Sequence, residues 1–218
     1  MGGSFAIGYL TYLMQGALWT AGLSLIALGF GGILALTVAL CRISDMRWLR
    51  TITALYIQIV QGTPVLVLIF LSYFGLPSLG WSVSPLFAAS ASLAIYVSAY
   101  LGESWRGSIQ SVPKAQWETA ECLALSKTQR MTKVILPQAV RIATPPTVGF
   151  MVQIIKNTSL ASVVGFVELV RAGQIINNTI FQPFLIYLLI ALLYFSLCFP
   201  LSILSRRLES RAGDKAYA

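Results

Sequence analysis

The stretch ALWTAGLSLIALGFGGILALTVALC, residues 17–41, carries no charged side chain and is rich in Leu, Ala and Gly. A helix rises 1.5 Å per residue, so about 20 apolar residues cross the roughly 30 Å hydrocarbon core of a bilayer. These residues therefore predict a transmembrane helix. The apolar, uncharged residues 5–13 before it predict either an interfacial helix or a long start to the same span.

The composition of the whole chain agrees with a membrane location. Of its 218 residues, 57% are apolar and only 10% are charged, against roughly a quarter charged in soluble domains. These values exclude a freely soluble globular protein and an intrinsically disordered one. The net charge of +8 is spread over an apolar chain, which indicates membrane topology rather than binding to nucleic acid. The chain has no histidine, which excludes histidine metal sites and histidine bases, and its three distant cysteines predict neither a disulfide framework nor a zinc site.

Three further charge-free windows cover residues 51–102, 142–155 and 172–205. The first is too long for one span and is broken by a turn-forming cluster between Gly75 and Pro85. The second is too short, but a helix that begins at Pro137 extends it to spanning length. We therefore predict an all-α membrane protein, a single domain over residues 1–218, with five transmembrane helices at about 17–41, 51–74, 86–102, 137–157 and 184–204.

The basic residues give the orientation. Thirteen of the 15 fall on one side of a five-span arrangement, and only Lys156 and Arg171 fall on the other. The positive-inside rule then predicts a cytoplasmic C-terminus, a cytoplasmic loop over residues 103–136 and an N-terminus outside.

The loop 103–136 is the only long polar stretch. Ser126 and Gln129 have capping-box spacing, which predicts a helix from Lys127. A preceding helix should start near Pro113 and end near residues 124–125. Its apolar side, formed by Trp117, Ala120, Leu123 and Leu125, favours docking to a protein partner over an ordinary solvated loop.

Residues 118–137 also carry a specific pattern. Glu118-Thr119-Ala120 is followed by LALS at 123–126 and by VILP at 134–137. This spacing resembles the EAA loop of bacterial ABC importer permeases. Thr119 and Ala124 depart from the family pattern, which has Ala and Gly at these positions.

The resemblance covers about residues 15–205. QGTPVLV at 61–67 and KNTSLAS at 156–162 are similar to stretches of the polar amino-acid permeases, and residues 98–113 resemble the entry to their EAA loop. The resemblance implies the five-span fold of type I ABC importer permeases, a bacterial inner-membrane location and a polar amino-acid substrate. It also implies four kinds of partner: membrane lipid, a second permease that is identical or homologous, two copies of an ATPase subunit, and a periplasmic substrate-binding protein.

The phosphate-binding signature GxxxxGK[ST] is absent from the chain. This predicts that the chain does not hydrolyse ATP itself. The resemblance implies a transport subunit that is not an enzyme and binds no cofactor of its own, with ATP and Mg²⁺ on the partner ATPase. The resemblance implies that a coupling helix enters a cleft of that ATPase. We expect Glu118 to orient the loop through a basic residue such as Arg106. The coupling residues expected are Glu118, Thr119, Ala120, Leu123, Ala124, Leu125 and Ser126.

Prolines interrupt two predicted spans. Pro64 removes a backbone donor in the second span and should free the carbonyl of Val60, producing a kink. Pro145 and Pro146 should do the same in the fourth span. Moving hinges and static packing kinks are equally open interpretations.

Polar groups at membrane depth are costly and therefore tend to be functional. We predict that the substrate pathway is lined by Gln61, Thr63, Lys156, Asn157, Thr158 and Ser159. Lys156 could instead reach the outer interface by snorkelling. Glu168 and Arg171, at i,i+3 spacing, are expected to form an ion pair in a short outer helix.

Two other classes of protein fit the hydropathy. A secondary transporter would show an internal repeat, which we do not find, and a channel-type protein leaves the EAA spacing unexplained. The particular amino acid, the choice between a homodimer and a heterodimer, and whether this subunit carries the substrate site stay open.

Overall fold

Helices make up most of the part of the chain that the structure, a computed structural model, describes. The backbone is described for residues 2–214 and the side chains for residues 7–210. Lys215, one of the thirteen basic residues predicted to lie on the cytoplasmic side, is outside this range. The α-helices are α1 (Gly2–Ile43), α2 (Arg47–Gly62), α3 (Val65–Phe70), α4 (Leu76–Ser78), α5 (Pro85–Gln110), α6 (Lys114–Cys122), α7 (Lys127–Arg130), α8 (Leu136–Asn157), α9 (Leu169–Ile180) and α10 (Pro183–Asp214). No β-strand occurs among residues 2–214.

The predicted all-α membrane fold is confirmed. Four helical stretches in the described range are long and apolar enough to cross a membrane: Ile7–Ile43, Pro85–Gln110, Lys127–Val164 and Pro183–Ser210. Helix α2 and the segment Val65–Ser78 together pass the same test as a bent pair. Counting this pair as one span gives the predicted number of five.

The second span is broken, whereas the sequence predicted a kink. The helix axis bends by 101° between α2 and the segment Val65–Ser78. The backbone of Thr63 is extended (φ −105°, ψ 128°) because a residue that precedes a proline is sterically pushed out of the helical region. The prediction of a free Val60 carbonyl is wrong, since this oxygen accepts the N–H of Thr63 at 3.3 Å. The Thr63 hydroxyl donates to the carbonyl of Ile59 at 2.7 Å.

Helix α5 is the central span. Of its most apolar stretch 61% is buried, against 17% for α10. It lies close to α1 because glycines stand at the contacts. A Cβ on Gly31 would lie 2.5 Å from the Cβ of Val97, and a Cβ on Gly102 would lie 2.8 Å from Val38 Cγ1. These two glycines therefore set the distance between α1 and α5.

The helix that contains the predicted fourth span starts before Pro137. Helix α7 continues through a π-helical segment, Met131–Ile135, into α8, so Pro137 lies inside one helical stretch rather than at its start. Pro145 and Pro146 also lie inside α8, which stays helical through both. The hydroxyl of Ser205 on α10 donates to the Pro145 carbonyl at 3.1 Å. Beyond α8 the chain forms a 3₁₀ segment, Thr158–Val164, that ends at Gly165 in the left-handed conformation (φ 86°).

Candidate functional site

The polar loop forms two helices, as predicted. Ser126 accepts the backbone N–H of Gln129, and the Gln129 side chain accepts the N–H of Ser126, so the capping box is complete and α7 begins at Lys127. The preceding helix α6 ends at Cys122, slightly before the predicted end at residues 124–125.

The end of α6 is a Schellman turn. The N–H of Leu125 donates to the Ala120 carbonyl at 3.2 Å, and the N–H of Ala124 donates to the Glu121 carbonyl at 2.9 Å. Ala124 therefore adopts φ 55°, a left-handed conformation that normally favours glycine. Alanine in place of the family's glycine at position 124 therefore preserves the turn but strains its backbone.

Most of the residues predicted to couple the chain to an ATPase are accessible. Ala120 is buried, whereas Leu123 is 69% exposed although it is a large apolar side chain. Leu125 is half-buried, and the other residues of the predicted set, Glu118, Thr119, Ala124 and Ser126, are exposed. Five of the seven predicted residues are thus exposed, and Leu123 is the large apolar side chain among them.

The side of α6 that carries Trp117 packs against the membrane spans. Trp117 packs against an apolar cluster that contains Ile109 of α5 and Ile135. The guanidinium of Arg130 lies 5.8 Å from the Trp117 ring and pairs with Glu121 at 3.3 Å. Residues 114–135 are therefore held against the ends of α5 and α8.

Three further ion pairs connect the segments around α6. Lys127 pairs with Asp45 in the α1–α2 connection at 2.9 Å, and this contact lowers the pKa of the Asp45 carboxyl below its usual value. Glu103 pairs with Arg106 at 2.5 Å and with Arg42 at 3.4 Å. The expectation that Arg106 contacts Glu118 is therefore wrong, because Glu103, one turn before Arg106 on the same helix, already holds its guanidinium.

The predicted pathway residues lie around two helix ends. Lys156 is exposed, Asn157 and Ser159 are half-buried, and Thr158 is fully buried. The hydroxyls of Thr158 and Ser159 both donate to carbonyls three residues earlier, at 2.7 Å each. Thr158 therefore faces the interior of this chain, and its three neighbours keep accessible polar groups.

The second predicted group, Gln61 and Thr63, borders the break between α2 and α3. The Gln61 amide donates to the carbonyl of Ala99 on α5 at 3.4 Å. Beyond the break, Val65 and Ile69 belong to the same apolar cluster as Ile154 of α8 and Ala161. Packing thus brings the two predicted groups to the same region of the fold.

An aromatic cluster adjoins these residues. The rings of Tyr96 and Tyr100 lie 4.4 Å apart, and both stack on Phe150, at 5.9 and 5.5 Å. The Asn157 side chain lies beside the Tyr96 hydroxyl and accepts from the Gln153 amide at 3.3 Å. These aromatic residues carry no distinguishing pattern in the sequence, because tyrosine and phenylalanine at helical spacing are ordinary core residues.

The expected ion pair between Glu168 and Arg171 is not formed. Glu168 instead caps α9: its carboxylate accepts the backbone N–H groups of Val170 and Arg171, both at 2.9 Å. The Arg171 side chain donates to Gln174 at 3.1 Å. A carboxylate one residue before a helix satisfies free N–H groups and the helix dipole together, which favours the cap over the side-chain pair.

Glu168 also joins two spans. Its carboxylate accepts the hydroxyl of Tyr194 on α10 at 2.9 Å and that of Thr20 on α1 at 3.4 Å. Thr20 Oγ1 in turn accepts the N–H of Leu169 at 3.2 Å. Glu168 and Thr20 are fully buried. The signal in the sequence is a lone acidic residue just before an amphipathic segment, but nothing local indicates its two distant partners.

Comparison with known proteins places these features in a family. A match to the family described as "Binding-protein-dependent transport system inner membrane component" covers residues 27–214. The chain is 35% identical over 206 residues to a probable amino-acid ABC transporter permease protein, YckA, of Bacillus subtilis, covering 94% of this chain and 91% of the relative. It is 36% identical over 200 residues to the L-cystine transport system permease protein TcyB of the same organism, covering 91% and 86%.

A solved structure of an amino acid ABC transporter has the same fold as this chain. The chain matches the crystal structure of an amino acid ABC transporter with histidines at a TM-score of 0.90 and 30% identity, covering 97% of this chain and 99% of that one. No cluster of three or more metal-ligating side chains occurs among the described residues. The chain belongs to the family of binding-protein-dependent transport system inner membrane components.

Proposed function

We propose that this chain is the permease subunit of an ATP-driven ABC importer that moves polar amino acids across the bacterial inner membrane. The observation that carries this proposal is the exposure of most EAA-like residues on α6 and in the turn that follows it. Relatives named as amino-acid permeases support the substrate class.

The coupling helix has the parts that a docking element needs. Leu123 supplies an exposed apolar anchor, and exposed apolar side chains on a helix favour a protein partner. Glu118 and Thr119 surround it with polar groups that can select a register. We propose that two copies of an ATPase subunit dock here, one on each permease of a dimer, and that ATP and Mg²⁺ bind to those partner chains.

Movement at α6 would reach the spans through two routes. One is the continuous helical stretch from Lys127 to Val164, which leads to the predicted pathway residues. The other is the Trp117 packing against Ile109 of α5. The first route is continuous secondary structure and the second is a packed side-chain contact, so a displacement of the coupling helix changes the outer half of the fold.

The pathway is proposed to run along the accessible residues Gln61, Thr63, Lys156, Asn157 and Ser159. A free amino acid carries two opposite charges, and their desolvation costs several kcal/mol unless the protein replaces the water. The lysine and the nearby amides and hydroxyls offer such groups. The burial of Thr158 gives it a packing role beside the pathway.

The orientation is proposed to have the N-terminus in the periplasm and α6 in the cytoplasm, so that a periplasmic binding protein delivers the substrate to the opposite face. Ser78 and the native Cys122 are both exposed and lie on opposite sides in this topology. In intact cells, Ser78→Cys in a Cys122→Ser background should react with an impermeant thiol reagent, and the native Cys122 should not. Labelling of Cys122 from outside would overturn the orientation.

Coupling can be tested in the assembled complex. Leu123→Asp removes the apolar anchor, and Leu79→Asp is a matched control because Leu79 is 75% exposed in the connection between α4 and α5. We expect Leu123→Asp and Glu118→Ala to reduce co-purification of the ATPase and ATP-driven uptake, with normal membrane insertion. Normal uptake in Leu123→Asp would contradict the docking role.

The pathway is tested separately by uptake in Asn157→Leu and Gln61→Leu complexes that still hydrolyse ATP. Reduced uptake with intact ATPase binding is the expected result, and unchanged affinity and rate in both variants would remove these residues from the pathway. Uptake by the chain without any ATPase would favour the alternative of a secondary transporter or channel.

A further inference from the structure

A cavity of about 710 Å³ opens between the ends of α1, α2 and α5. Four of its nine lining residues are arginines, and none is acidic. The lining consists of Arg42, Arg47, Arg50, Thr51, Ala54, Leu55, Gln58, Arg106 and Gln110. None of the coupling residues and none of the proposed pathway residues belongs to it.

The positive charge of this cavity is largely uncompensated. Glu103 pairs with Arg42 and Arg106 and so offsets at most one of the four charges. Arg47 and Arg50 form no ion pair and no side-chain hydrogen bond within residues 7–210. Isolated surface arginines need no partner, but four around one concave space repel each other unless an anion lies between them.

Helix α2 adds to the same field. Its first turn holds Arg47 and Arg50 and no acidic residue, and the residue before it, Met46, provides no side-chain cap. The free N–H groups of a helix start attract an anion, and basic side chains there leave the dipole uncompensated. The helix start and the arginines therefore favour a negative group at the same place.

The cavity also has an apolar side that points to a lipid. Its lining along α2 continues from the arginines to Ala54 and Leu55, and Trp48, Ile52 and Leu55 of the same helix are exposed at 61%, 59% and 56%. Tryptophan is typical of the boundary between headgroups and acyl chains. A charged end next to an exposed apolar surface at the end of a span matches one phospholipid molecule.

We propose that this cavity binds the headgroup of an anionic phospholipid. Arg47 and Arg50 hold the phosphate, and Arg42 and Arg106 add positive charge to the same cavity. Basic pockets between spans are known to recognise such headgroups. Thr51 and Gln58 offer hydrogen bonds to the glycerol region. The inference needs only the end of a span and holds for either orientation of the chain.

The cavity borders the loop region described above. A second cavity shares Arg42, Arg50 and Gln110 with the first and is also lined by Trp117, Lys127 and Arg130. A bound headgroup would thus stand next to the contacts that hold α6 in place. Bound lipid should therefore also stabilise the connection between the spans and the coupling helix.

The full chain, purified in detergent, is titrated with phosphatidylglycerol or with phosphatidylcholine of the same acyl chains, and bound lipid is counted by native mass spectrometry. The test variant is Arg47→Gln/Arg50→Gln. The matched control is Arg206→Gln/Arg207→Gln, which removes the same charge from exposed residues near the end of the last apolar span. We expect phosphatidylglycerol to bind at least tenfold more tightly than phosphatidylcholine, with roughly tenfold weaker binding in the test variant only.

A second variant, Ala54→Phe, fills the cavity without changing the charge and should also lose the bound lipid. Equal losses in the two arginine pairs would show general surface attraction and overturn the proposal, as would unchanged binding in Ala54→Phe. Inorganic phosphate is titrated in parallel. If it displaces no lipid at millimolar concentration, the lipid site stands, and if it binds as tightly as phosphatidylglycerol at the same arginines, the ligand is a free anion and the lipid proposal fails.

Discussion

Replacing Glu168 by alanine should destabilise the packing of α1, α9 and α10 more than the loss of any exposed carboxylate. The carboxylate accepts four hydrogen bonds: two from the start of α9, one from Tyr194 and one from Thr20. Loss of the N-cap costs about 1 kcal/mol, and each buried donor left without an acceptor costs about 1–3 kcal/mol. Removal of the carboxylate's own desolvation cost offsets part of this loss, so we expect a net change of about 3 kcal/mol in the free energy of unfolding.

The graded variants follow from the geometry. The Tyr194 and Thr20 hydroxyls and the Val170 N–H all donate to Oε2, and only the Arg171 N–H donates to Oε1. Glu168→Gln can turn its one acceptor toward the three donors and lose a single contact, so it should cost about 1 kcal/mol. Tyr194→Phe removes one donor and leaves the cap, and it should cost a similar amount, since hydrogen bonds in membrane proteins average about 0.6 kcal/mol.

The chain contains its own reporter for this measurement. Cys198 is only 7% exposed and lies one turn beyond Tyr194 on α10. With Cys41 and Cys122 changed to serine, a thiol-reactive dye reports the temperature at which α10 separates from the fold. For a chain of this size a loss of about 3 kcal/mol lowers the midpoint by on the order of 10 °C.

Glu209→Ala is the matched control, because Glu209 is an exposed carboxylate on the same helix. Its midpoint should stay within about 1 °C of the parent, as surface substitutions usually change stability by less than 0.5 kcal/mol. A Glu168→Ala midpoint equal to that of Glu209→Ala would refute the reasoning, because the buried carboxylate would then contribute nothing to the packing of three helices.

Three further predictions concern local contacts. Gly31→Ala should destabilise the chain by about 1–3 kcal/mol through overpacking, whereas Gly29→Ala, where a Cβ meets nothing within 4 Å, should be neutral or stabilising in the same thermal assay. Ala124→Gly should slow hydrogen exchange in α6, because relief of the left-handed strain is worth about 1 kcal/mol. The control Ala115→Gly lies inside α6 and should speed hydrogen exchange there. Faster exchange in Ala124→Gly would contradict the strain at this position. Ser126→Ala should lose about 1 kcal/mol of cap energy and speed exchange in α7, with no change in the spans.

The features that could be predicted from the sequence are those whose causes are local. The complete capping box at Ser126 depends on residues three apart, and the long apolar stretches depend only on composition. Both therefore appear in the sequence and in the structure alike. The apolar side predicted for α6 divides in the structure: Trp117 and Ala120 pack inward, and Leu123 stays exposed.

The features that could not be predicted from the sequence depend on residues far apart in the chain, or on how strongly a local interruption bends it. Pro64 indicates an interruption, but the 101° turn depends on where α3 packs against α5 and the 3₁₀ segment Thr158–Val164. Arg106 was expected to contact Glu118, but it pairs with Glu103 of the same helix. The contacts of Glu168 link residues 148 positions apart, and a single sequence carries no pattern for such a pair.

That separation has a consequence for the order in which the protein is made. Thr20 enters the membrane with the first span, long before the ribosome reaches Glu168 or Tyr194. Until then its hydroxyl can bond only to its own helix backbone, as threonines in helices do. The first span therefore lies in the bilayer without its final polar partners until the last span is inserted. Only then can Thr20, Glu168 and Tyr194 form their hydrogen bonds. The junction of α1, α9 and α10 is the part of this fold that biosynthesis completes last, and truncated chains that end before α10 should leave the first span unanchored.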